Sequence, residues 1–274
     1  MKPLLLAITS DHHTNSTIGL CPPEGVKLDD GGRYLPGKVQ RWMWECWEDY
    51  WRKIKTLQHE TKAELWCLFN GDLVDGGPHH GTTQIVSANL EIQSYIADRT
   101  FGVPLALNPS HTFVVRGTEA HVGPSASSEE ALARHLKAER DGDRWSFWHL
   151  RLEERGTRLD CQHHGRSGFR PWTEQNALAL LANQIFLEHA RKGIPHPQLA
   201  IRSHFHKYGD SHDASPTRVI QTPAWQVKTA YAHKVVPESI ADIGGVSILL
   251  QEGNPPTVQA HLYPVDLPPI WKAA

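Results

Sequence analysis

The chain has 274 residues, 39% hydrophobic and 21% charged, with 28 Lys and Arg against 30 Asp and Glu, for a net charge of −2. That length suits one large α/β domain over 1–274, and the charge balance excludes a global pull toward nucleic acid or an anionic membrane, although a local basic groove stays open. No apolar run is long enough for a membrane span or a signal peptide, and Cys21, Cys46, Cys67 and Cys161 form no C-x-x-C pair, so the expectation is a cytoplasmic protein with reduced thiols.

In chain order, "LLLAITS" at 4–10 reads as a buried strand that runs straight into Asp11, His12 and His13. A Gly/Pro-rich connection over 15–38 follows; its length fits either a lid over a site or an ordered surface insertion. Residues 39–60 read as a helix in which Trp44, Trp47, Trp51 and Ile54 recur every three or four positions, an apolar stripe suited to core packing. "AELWCLFNGD" at 63–72 is a second strand, 82–100 a helix, and "HTFVVRGTEAH" at 111–121 a third strand with a polar end. A helix over 127–140 opens on Ser127 and Glu130 at capping-box spacing. Strand-like stretches occupy 144–165, and a helix over 170–193 has Pro171 near its start and Gly193 past its end. "QLAIRSHFH" at 198–206 is another strand, 207–213 a loop, and three closing strands lie within 217–224, 244–251 and 257–265. This alternation predicts α/β layering.

The strands share one style of ending: "SDHH", "FNGDLVDGG", "VVRGTEAH", "LDCQHHGRSG" and "AIRSHFHKYGD". Ligands in open α/β sheets bind beyond the carboxyl ends of strands, so these Asp and His residues are expected to converge. Alternation along a strand lets Asp11 and His13 face one ion together, and likewise His204 and His206. Oxygen and imidazole donors without thiolate suit Mn, Fe or Zn. "DHH" alone is a turn and "GDLVDGG" alone a Gly/Asp turn; the ordered set D-x-H, G-D-x-x-D, G-T-x-x-H, H-G and S-H-x-H, each after a strand, points to a metal centre.

That ordered set resembles the calcineurin-like metallophosphoesterase family, from Asp11 to His206, and the His-rich variant with the "CPPEG…LDDGG" insertion at 21–32 resembles phage- or prophage-encoded members. The resemblance implies a four-layer sandwich, two packed β-sheets flanked by helices, and two divalent ions bridged by Asp72. Asp11, His13 and His206 would hold the first. The second would take His204 and either His163 or His164, with His164 preferred because it directly precedes Gly165. Asp75 would orient a ligand or loop. The family's third motif is G-N-H-E; here Thr118 stands for the Asn ligand and Glu119 for the His, while His121 lies two positions on. His121 is therefore the expected proton donor to the leaving group, with Glu119 as the alternative. Arg166 and Arg170 are candidates for a flanking phosphate.

The activity implied is metal-dependent hydrolysis of phosphate esters by a hydroxide bridging the metals, with phosphodiesters, nucleic acid or a nucleotide, as the expected substrate. The alternative, prompted by Thr118, is a non-catalytic metal-binding scaffold or interaction module that keeps the fold.

Overall fold

Leu4–Thr9 forms strand β1, and all six of its side chains are buried. A strand can do this only when both faces of its sheet are covered. The computed structural model, which describes residues 1–76, 84–166 and 173–266, shows how. The remaining strands are β2 Val26–Lys27, β3 Arg33–Tyr34, β4 Glu64–Asn70, β5 His111–Val115, β6 Leu150–Glu154, β7 Thr157–His164, β8 Leu199–Ser203, β9 Gly209–Asp210, β10 Arg218–Gln221, β11 Ile243–Leu250 and β12 Thr257–Tyr263. The helices are α1 Lys38–Thr61, α2 Leu90–Leu105, α3 Glu119–Val122, α4 Ser127–His135, α5 Glu174–Arg191 and α6 Ala230–Val235.

Two five-stranded sheets, β12-β11-β1-β4-β5 and β6-β7-β8-β10-β9, pack face to face. In the first, β1, β4 and β5 are parallel and β11 and β12 antiparallel. In the second, β7, β8 and β10 are parallel and β6 and β9 antiparallel. Alternation along β1 divides its residues. Leu4, Leu6 and Ile8 enter the inter-sheet core with Leu159, Cys161, Ile201 and Ile220. Leu5 and Ala7 belong to the outer core with Trp47, Tyr50 and Trp51 of α1. Full burial of an aromatic side chain of this kind stabilises by about 3 kcal/mol, and the tryptophan stripe is core rather than a stacking surface. Leu178 and Ala182 of α5 cover Ala200 and Val219 on the second sheet. The result is the expected four-layer sandwich: helices, sheet, sheet, helix.

A chain of polar contacts locks the two sheets together at their carboxyl ends. Asn70 Nδ2 donates to Ser203 Oγ at 2.6 Å, Ser203 Oγ lies 2.7 Å from Thr222 Oγ1, and Thr222 Oγ1 lies 2.7 Å from Ser10 Oγ. The described helices include none long and apolar enough to cross a membrane. All four cysteines are buried and unpaired.

Several local expectations change. The helix expected over 82–100 starts at Leu90, because Asn89 Oδ1 accepts the Glu91 N–H at 2.7 Å and caps it there. The strand expected over 111–121 stops at Val115, and Glu119–Val122 turns helical. The Ser127–Glu130 capping box does not form: the cap position is Ala126, and Glu130 instead accepts the Trp145 N–H at 3.0 Å and the Ser146 hydroxyl. The connection over 15–38 is an ordered insertion whose Cys21 and Val26 pack on Ile92 and Ile96 of α2. Within 207–213, Gly209–Asp210 pairs with β10 instead of remaining loop. Pro171 and Arg170 lie outside the described residues.

Candidate metal centre

The carboxyl ends of β1, β4, β5, β7 and β8 bring the polar endings together. Among the described residues, three groups of one carboxylate and two imidazoles result, each with ligand atoms within 4.8 Å of one another; two of them are Asp11, His13 and His206, and Asp72, His163 and His204. In the first, His13 Nε2 and His206 Nε2 are 3.3 Å apart, and His206 Nε2 is 3.5 Å from Asp11 Oδ1. In the second, His163 Nε2 is 3.0 Å from Asp72 Oδ2. The groups touch: His163 Nε2 is 3.9 Å from Asp11 Oδ1, and the His204 N–H donates to Asp11 Oδ2 at 3.3 Å.

Strand alternation does not aim these side chains. Asp11, His13, His204 and His206 all lie past their strand ends, at φ values of 50°, 42°, 79° and 54°, and Asp72 sits at 53°. The left-handed turns bring Asp11 and His13 into one group, while His204 and His206, expected to face one ion, are divided between the two groups. His12, between Asp11 and His13, points into the core, with its Nε2 2.8 Å from Thr9 Oγ1 and Trp47, Phe69 and Phe101 around its ring. Burial lowers it to about 3, so it is a neutral core histidine.

Two glycines allow the close approach. Gly71 adopts φ +87°, and a Cβ there would sit 2.3 Å from His163 Nδ1; a Cβ on Gly117 would sit 2.2 Å from Asp72 Oδ1. His163 Nδ1 donates to the Asn70 carbonyl at 2.7 Å, which fixes the ring and aims Nε2 into the site. Asp72 Oδ1 accepts the Thr118 N–H at 2.6 Å.

The donor set fits a divalent cation. Asp11 Oδ1 and His13 Nδ1 are buried without a hydrogen bond. Burial works against ionising Asp11 and Asp72, yet the His206 contact with Asp11 and the His163 charge beside both outweigh it, and both stay below the usual carboxylate range. Burial holds His13 and His164 below the usual histidine range and brings His204 to about 4. Ionised carboxylates and neutral imidazoles are the forms that bind metal. Burial also works against His163, but the Asp72 charge and hydrogen bond carry it up to about 10, which shows that these carboxylates demand a positive partner.

The other expected residues divide. Thr118 Oγ1 lies 3.2 Å from His204 Nδ1 and 3.4 Å from His164 Nε2, so both Thr118 and His164 stand at the margin of the second group; His164 is exposed and His163 buried. His121 Nδ1 is 3.2 Å from Asp75 Oδ1, and its ring is 4.5 Å from that of His13. Burial would lower His121, but the Asp75 hydrogen bond and the Asp72 charge raise it above its ordinary value. His13, Asp75 and His121 form a third group of convergent donors that shares His13 with the first. Glu119 is not brought in: it is exposed and accepts the Ser125 N–H at 3.1 Å. Arg166 is exposed just after β7.

Glu129 was not foreseen. It is fully buried on α4, accepts the Leu73 N–H at 3.0 Å and the Gly117 N–H at 2.6 Å, and so ties the Asp72 loop to the Thr118 loop. Burial and the Asp72 charge push its carboxyl up to about 7. An acidic residue in a first helical turn carries no sequence signal for this role.

No family model matches the chain, and no curated protein does. Among solved structures, a dimetal phosphatase from Danio rerio aligns with a TM-score of 0.48 at 11% identity, over 94% of this chain and 95% of that one. Vps29 from Entamoeba histolytica, complexed with Zn2+, aligns at 0.42 and 10% identity, over 94% and 99%. Thermus thermophilus SoxB, a sulfate thiohydrolase, aligns at 0.44 and 12%, over 95% of this chain and 56% of that one.

Proposed function

We propose that the protein is a metal-dependent phosphoesterase with a dinuclear centre. One observation carries this reading: two buried carboxylate–imidazole groups meet at the carboxyl ends of strands from both sheets, at a cavity of 550 Å³. Asp11, His13 and His206 would hold one ion, and Asp72, His163 and His204 the other, with Thr118 and His164 at the margin of the second. Bound divalent ions supply charge for the phosphoryl oxygens and lower the pKa of water. Asp75 orients His121 and favours its protonated form, which suits His121 to deliver a proton to the departing oxygen.

The test is Mn- or Zn-dependent hydrolysis of bis(4-nitrophenyl) phosphate beside 4-nitrophenyl phosphate. Asp72→Asn is expected to stay folded and lose ~10³-fold in turnover, about 4 kcal/mol of barrier. Near-wild-type turnover in that variant would refute the assignment. The replacement of the expected Asn by Thr118, whose hydroxyl lies 3.2 Å from His204 Nδ1, favours a second reading, a metal-binding scaffold. Two equivalents of bound metal without turnover of either ester would select it.

A further inference from the structure

The cavity has two unlike walls. One is the polar floor of ligand imidazoles with Thr118 and His121. The other is built from Ile85, Phe205, Ala232, Val235, Val236 and Ala241, chiefly α6 and the residues after it. These side chains are not hidden: Phe205 is 38% exposed, Val235 57% and Val236 47%. Large apolar groups left open beside a charged site mark a place where something apolar docks. The wall also abuts the chemistry, since the Phe205 ring lies 5.2 Å from that of the ligand His204.

Charge narrows the occupant. Lys228 is the single Lys or Arg among the described residues lining the cavity, and its Nζ already donates to the Pro237 carbonyl at 2.5 Å. A nucleic acid strand is held by rows of Lys and Arg that follow its phosphates. The described lining residues offer one cationic phosphate position, at the ligands, and beyond it apolar side chains interspersed with neutral polar ones such as Gln84, Thr229 and Ser239. Its volume of 550 Å³ falls within the range of small-molecule sites.

From these walls we infer that the substrate is a small phosphate ester with an apolar or aromatic organic group, seated against α6 and Phe205, and not a nucleic acid strand. The inference rests on the phosphoesterase reading and names the substrate class of that same site. Phosphate oxygens face the ligand groups, and the organic group covers Val235 and Val236.

The experiment uses metal-loaded protein and two readouts. Calorimetry compares methyl-, butyl- and phenylphosphonate, which cannot be hydrolysed. Kinetics compares methyl and phenyl 4-nitrophenyl phosphate, which share one leaving group. Affinity is expected to rise at least about tenfold from methyl to phenyl, with kcat/KM following through KM. The exposed-residue double variant Val235→Ser, Val236→Ser is expected to flatten both series. Equal affinities across the phosphonates, or a single-stranded oligothymidylate that binds more tightly than phenylphosphonate, would overturn the inference. A graded affinity without turnover of either ester would sink the phosphoesterase reading and leave the apolar wall standing; turnover with a flat series would do the reverse.

Discussion

Asp11, His13, Asp72, His204 and His206 all hold a left-handed backbone, which costs a residue other than glycine about 1–3 kcal/mol. All five are candidate ligands, so the surrounding fold is holding them in place against local preference. The residue types and their spacing were legible in the sequence, but the reason for their convergence was not. Period-two alternation gave Asp11 and His13 as a pair, through a strand that had already ended, but it also joined His204 and His206, which fall in separate groups. His121 shows the same limit. Its position two residues late looked like a departure, yet the short helix over Glu119–Val122 carries it back to Asp75, at 3.2 Å. Its role depends on how badly the leaving oxygen needs a proton. His121→Ala is expected to slow an alkyl ester by ~10²-fold and a 4-nitrophenyl ester far less, because nitrophenolate leaves without help. Equal losses on both esters, measured as kcat on the metal-loaded variant, would remove His121 from that role.

At the scale of elements, the long pieces were readable and the short ones were not. β1, β4, α1 and α5 announce themselves by apolar runs or stripes, since burial of a whole face needs a repeating pattern. The two-residue strands β2, β3 and β9 and the six-residue α6 have no room for a pattern, yet α6 builds the apolar wall of the cavity. Buried polar ties were equally silent. Arg202 on β8 donates to Asp160 Oδ1 on β7 at 2.7 Å, and His149 Nε2 meets Asp160 Oδ2 at 2.5 Å. Burial alone would raise the Asp160 carboxyl; the His149 hydrogen bond and the Arg202 charge hold it below the usual range. A depressed carboxylate contributes stability above its unfolded-state pKa and loses it as pH falls through the folded one. Asp160→Asn leaves Arg202 buried without its counter-charge and is expected to cost about 3 kcal/mol at pH 7. Urea unfolding between pH 7 and pH 2 should show that gap narrowing below about pH 4, as the carboxyl of the unfolded wild-type chain takes up its proton before the folded one does. A gap that stays constant over the range would show that the ion pair is not what Asp160 contributes.

Over the whole molecule, the centre is the place where two sheets depend on each other. Asp11 and Asp72 come from the first sheet, and His163, His204 and His206 from the second. Beneath them the Asn70–Ser203–Thr222–Ser10 chain makes the same crossing with neutral groups. A cation bound above that chain joins donors that an unfolded chain cannot assemble, so its binding energy adds to the stability of the four-layer stack. At a hundredfold excess over the dissociation constant, one ion contributes about 2.7 kcal/mol. For a chain of this size that is a rise in Tm on the order of 5–10 °C. Protein stripped with a chelator and then titrated with Zn2+ or Mn2+ should show that rise in calorimetry. Asp72→Asn should lose most of it, because a neutral amide removes the only carboxylate of the second group. A Tm indifferent to metal, or a rise of the same size in Asp72→Asn, would mean that the convergence of these ligands serves the packing of the sheets and not a cation.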